Sequence, residues 1–160
     1  MELVNAIEQS AVGALVRESL WVYPTLLTLH GVGLALLVGI SCAVDVRILG
    51  FASDVPLRPM ARFLPVMYLG FWLNALSGLG LLCAEASKML RDPVFFVKMA
   101  CILAGTGAIV RLNTLVFRPQ DARLDRDTFH GSARALALAS LAAWTLAIVT
   151  GRLTAYGFFR

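Results

Sequence analysis

Few side chains in this 160-residue chain are equipped for chemistry, and most of them stand inside long apolar runs. There are two histidines, His30 and His130, and three cysteines, Cys42, Cys83 and Cys101. A membrane four-helix bundle can hold haem b between two histidines. Here His30 falls in the outer third of the first apolar run and His130 at the inner start of the last. One haem cannot take both from a single chain, so a bis-His haem requires His30 from two chains. A lone buried histidine is more often a packing residue, here hydrogen-bonded to Thr25, Thr28 or a backbone carbonyl. The cysteines form no Cys-x-x-Cys and read as small apolar residues, neither a disulfide framework nor a zinc site. No catalytic constellation and no metal site is expected, and the chain does not read as an enzyme.

Ionisable groups at membrane depth are the remaining candidates, because they are costly there and functional by default. They sort into two layers. The outer layer holds His30, Glu85, Lys98 and Arg152, a set suited to an anionic group such as a haem propionate, a lipid phosphate or a carboxylate substrate. Against this stands a simpler reading, in which Lys98 and Arg152 snorkel to the interface and Glu85 pairs with one of them. On a helical wheel Lys98 lies about 200° from Ala100, which points it away from the small residues and toward lipid or a partner. The inner layer holds Asp45, Arg47, Arg111 and Asn113. Asp45 is expected to pair with Arg47 or Arg111 and fix the inner ends of two helices, since a bare arginine there is expensive. Trp72 and Trp144, near the middle of the second and fourth runs, are expected to fill the core rather than stack on a flat cofactor.

The elements that must position these groups follow from composition. The chain is 59% hydrophobic and 15% charged, with a formal net charge of +4. A soluble domain carries about 25% charged residues. A spanning helix needs about 20 mostly apolar residues, and four runs meet this, at 24–46, 63–83, 94–117 and 133–156. Trp21 and Tyr23 flank the first as interface aromatics. The expected fold is all-α, an integral membrane four-helix bundle. Residues 1–20 are expected to form one amphipathic interfacial helix, with Leu3, Ile7, Val12, Leu15 and Val16 on its apolar face. They do not resemble a secretory signal.

Each run repeats a small residue at every fourth position: Gly31, Ala35, Gly39 and Ala43; Gly70, Asn74 and Gly78; Ala100, Ala104 and Ala108; Ala135, Ala139, Ala143, Ala147 and Gly151. Lipid tails give helices no hydrophobic reason to associate, so close backbone approach must supply the attraction. Such stripes predict a tight bundle without a wide pore. Lys and Arg set the orientation. Arg17, Lys88, Arg91 and Arg160 fall on the side of the termini, against seven arginines on the other side (47, 58, 62, 118, 123, 126 and 134). Loops one and three are therefore expected in the cytoplasm and both termini on the periplasmic side. No basic face with interleaved aromatics is present, which excludes nucleic acid.

The segments LHGVGLALLVGISCAVDVRILG, SGLGLLCAEA, DPVFFVKMACILAG, RLNTLVF and SLAAWTLAIVTGRLTAYGF resemble a group of small bacterial four-span inner-membrane proteins of unknown function. They are also loosely similar to copper-resistance and cytochrome b561-type membrane proteins, whose several intramembrane histidines this chain lacks. Asp45, Arg47, Gly50, Lys98, Asn113, Gly151 and Arg152 fall in the motifs that carry the likeness. The resemblance implies a multi-pass protein of the bacterial inner membrane and no particular activity. Three functions are in view. The first is an accessory or scaffolding subunit of a larger, energy-conserving membrane complex, its partners being lipid and either other subunits or further copies of itself. The second is a haem- or quinone-binding redox protein using His30, Lys98 and Arg152. The third is a small-solute transporter acting as an oligomer.

Overall fold

The computed structural model describes residues 2–117 and 131–156. Its elements are α1 (Glu2–Glu8), α2 (Ala11–Glu18), α3 (Val22–Ile48), α4 (Leu57–Met60), a 3-10 turn (Ala61–Phe63), α5 (Leu64–Ala84), α6 (Ala86–Met89), α7 (Pro93–Val116) and α8 (Gly131–Tyr156). Four helices are long and apolar enough to cross a membrane: 22–48, 57–84 (α4 to α5), 93–116 and 131–154. The fold is an all-α four-helix bundle, and the chain is a multi-pass membrane protein. A helix satisfies its backbone amides within its own segment, as hydrocarbon requires. Leu69, Leu76, Leu79, Leu103 and Leu138 are all exposed on the outside of the bundle, as lipid contact requires.

Local chemistry starts and stops these helices. Asp92 caps α7, its carboxylate accepting from the Val94 amide at 2.9 Å. Pro93 follows at the first helical position, where its missing N–H costs nothing. After α3 the chain turns through Gly50, whose φ of +100° suits a residue without Cβ. The turn closes on Arg47. Its Nε donates to the Val55 carbonyl at 2.5 Å and its Nη2 to that of Ser53 at 2.8 Å.

The N-terminal segment is not one amphipathic helix. Ser10 breaks it in two, its hydroxyl accepting from the Gly13 amide at 3.2 Å as the N-cap of α2. Val16 is buried, while Val12 and Leu15 are exposed. A Cβ on Gly13 would lie 2.7 Å from the Cys83 carbonyl oxygen, so α2 packs directly on the end of α5. Glu8 fastens α1 to α6 by accepting from both the amide (3.1 Å) and the hydroxyl of Ser87.

The four long helices pair as α3 with α5 and α7 with α8, and α3 touches α8 between the pairs. Gly33 and Gly70 make the first crossing tight: a Cβ on Gly33 would meet the Gly70 carbonyl oxygen at 2.8 Å, and one on Gly70 would meet the Leu37 amide nitrogen at 2.9 Å. Gly105 makes the second, because a Cβ there would lie 2.8 Å from the Trp144 ring. Trp144 is fully buried in a core with Leu37, Met67, Ile109 and Ala147.

The small-residue stripes hold in part. Gly70, Asn74 and Gly78 of α5 do face α3. On α7 and α8 only the later members turn inward: Ala108, Ala143 and Ala147 are buried, whereas Ala100, Ala104, Ala135 and Ala139 are exposed. Four residues at about 100° each overshoot a full turn by about 40°, so an every-fourth stripe winds around a straight helix and leaves its neighbour. On α3 the whole stripe is outside. Gly31, Ala35, Gly39 and Ala43 are exposed, and nothing lies within 4 Å of a Cβ built on Gly31 or Gly39. The face actually packed is Gly33, Leu37, Ser41, Asp45 and Ile48, offset by two residues and therefore on the opposite side.

Candidate functional site

The outer layer is built around His30. Its Nδ1 lies 3.0 Å from the Asn74 carbonyl oxygen and 3.3 Å from the Ser77 hydroxyl, while Asn74 Nδ2 returns a 2.8 Å bond to the His30 carbonyl. Gly78 makes room for the ring, since a Cβ there would touch Cε1 at 2.9 Å. The carbonyl thus takes the Nδ1 proton, which leaves the lone pair on Nε2. Thr28, one of the expected partners, bonds its own helix instead, donating to the Pro24 carbonyl at 2.8 Å.

Lys98 lies half-buried along α8, with Cε, Cδ and Nζ within 3.7 Å of a Cβ built on Gly151. It turns toward the bundle rather than away, because Ala100, the reference for the opposite expectation, is itself exposed. Arg152 is exposed next to Gly151. Glu85 joins neither of these cations: it pairs with Lys88 at 3.0 Å, and Tyr23 shares the spot. The structure therefore seats His30 against α5 and Lys98 against α8, and places Glu85 in a separate pair at the helix end.

The inner layer also departs from expectation. Asp45 is 1% exposed, and its carboxylate is met by hydroxyls rather than by Arg47 or Arg111. Ser41 Oγ donates to Oδ2 at 3.4 Å, Ser140 supplies a second hydroxyl, and the two hydroxyls stand 3.4 Å apart. Arg47 is turned to the loop carbonyls, and Arg111 is exposed. Asn113 donates to the Tyr68 hydroxyl at 2.9 Å. Ser41 and Ser140 carried no signal in sequence reading, because a serine inside a span is ordinarily spent on its own helix backbone. His130 lies outside the described residues.

Two hollows accompany these layers. An open apolar groove of about 580 Å³ runs between the N-terminal helices and α5, bordered by Ile7, Val12, Leu76, Leu79 and Cys83. A small, half-open cavity of about 10 Å³ lies beside Asp45. Trp72, expected in the core, is 60% exposed instead. No set of three His, Cys, Asp or Glu residues is grouped for a metal among the described residues. In comparisons with known proteins the chain matches no family model, no curated protein and no solved structure.

Proposed function

We propose that the protein is an accessory or scaffolding subunit of a larger complex in a bacterial inner membrane, with both termini on the periplasmic side. The supporting observation is the outer ridge of α3, where Gly31, Ala35, Gly39 and Ala43 leave bare backbone facing open space. Between helices in lipid, attraction comes from close backbone contact. Gly33 and Gly70 already use that contact inside the bundle. The ridge offers a second such surface, suited to a helix of another subunit. The test is extraction in mild detergent followed by a subunit inventory. Stoichiometric partner chains that are lost from Gly39→Leu support the reading, and a lone monomer overturns it.

One observation favours a second reading. With the Nδ1 proton of His30 given to Asn74, the Nε2 lone pair is the one a haem iron would take, and Lys98, half-buried against Gly151, is the cation that would serve a propionate or quinone oxygen. A Soret band from the same preparation, abolished by His30→Ala, would put this reading in place of the first.

A further inference from the structure

Asp45 sits three residues before the end of α3 and is almost fully buried. Among the described residues no lysine or arginine forms an ion pair with it. A lone carboxylate charge among apolar walls is costly unless something neutralises it, and here the walls include Leu64, Met67, Ile109 and Leu112. Beside the carboxylate is the small, half-open cavity of about 10 Å³, also bordered by Ser41 and Asn113. About 10–15 Å³ suffices for one water-sized occupant, so an organic ligand is excluded.

The oxygen spacing narrows the choice. Ser41 Oγ stands 3.4 Å from Asp45 Oδ2 and 3.4 Å from Ser140 Oγ. Strong O–H···O bonds are shorter, at about 2.7–2.8 Å. Oxygens held at about 2.4 Å from a common cation in octahedral directions are separated by about 3.4 Å, the cation–oxygen length being that of a calcium-sized ion. Asn113 borders the cavity and spends its amide nitrogen on Tyr68, so its Oδ1 is the side-chain atom left to serve as a further neutral ligand. One carboxylate balances one positive charge, whereas a divalent ion would leave an excess charge in a low-dielectric site. A water would fill the space without neutralising it.

We propose that Asp45, Ser41 and Asn113, with Ser140 behind them, bind a single monovalent cation of sodium's size within the bundle. The site joins α3, α7 and α8, so occupancy ties the two helix pairs together. It is independent of the docking ridge on the outside of α3.

The test is thermal unfolding of the purified full chain in detergent, with sodium chloride exchanged for choline chloride at constant ionic strength. The expected result is a Tm that rises with sodium concentration, with Asp45→Asn removing the dependence and Ser41→Ala moving it to higher sodium. A wild-type Tm indifferent to sodium overturns the proposal without need of any variant. So does an Asp45→Asn protein that responds as the wild type does. A Tm raised by acid alone, whatever the sodium, replaces the cation with a proton.

Discussion

His30 and Asn74 exchange hydrogen bonds across the α3–α5 crossing, the imidazole reaching the Asn74 carbonyl at 3.0 Å and the Asn74 amide reaching the His30 carbonyl at 2.8 Å. The bonds lie alongside the Gly33–Gly70 approach, so each requires the backbones to be close. Alanine at either position leaves polar groups of the other unsatisfied, a loss of about 1–3 kcal/mol. The double variant should lose less than the sum of the singles, because the two residues share one contact. Equilibrium unfolding in mixed micelles measures both.

The glycines of α3 should separate by face. Alanine at Gly33 places a methyl group 2.6 Å from the Asn74 nitrogen, and such overpacking costs about 1–3 kcal/mol. Alanine at Gly31 meets nothing within 4 Å and should be neutral or stabilising by up to about 1 kcal/mol, the helix-propensity difference. The same unfolding assay on the isolated chain ranks them.

The tryptophans report on the lipid boundary. Trp72 is 60% exposed and Trp144 1% exposed. In bilayers with brominated acyl chains, a single-tryptophan variant keeping Trp72 should be strongly quenched and one keeping Trp144 should not. Trp144→Ala should cost about 3–5 kcal/mol, and Trp72→Ala little.

The N-terminal helices are held by a contact that acid should release. The Ser87 hydroxyl and amide, with a smaller contribution from Arg17, hold the Glu8 carboxyl below its ordinary value. A carboxyl lowered in the folded state adds stability above its unfolded value, near pH 4.5, and that stability is lost as the pH falls through the lowered folded value. Hydrogen-exchange protection in residues 2–18, taken relative to the intrinsic rate at each pH, should therefore fall below about pH 4.5. Glu8→Gln should make that protection nearly independent of pH.

The four spans were legible because each must offer hydrocarbon a continuous apolar surface, and the run of residue types records that directly. The facing of each helix was not. Gly31 and Gly33 are the same residue type two positions apart, and only the fold shows that Gly33 meets Gly70 while Gly31 faces outward. Lys98 was misdirected for the same reason, its orientation having been taken from Ala100. Of the partners expected for His30, the one it meets is a backbone carbonyl, and it belongs to Asn74 on α5. The hydroxyls around Asp45 could not be found by charge counting, which pairs a carboxylate with the nearest arginine in sequence. Arg47 instead has two carbonyls of its own turn to satisfy.

The outer ridge of α3 is proposed as a contact surface for another membrane subunit. That role is tested most directly by native mass spectrometry of complexes drawn from the membrane, comparing the wild type with Gly31→Leu/Gly39→Leu. The account predicts a wild-type complex with partner chains in fixed ratio, and a double variant that is folded, with unchanged Tm, but free of partners. Partners retained by the double variant, or none bound to the wild type, would contradict it.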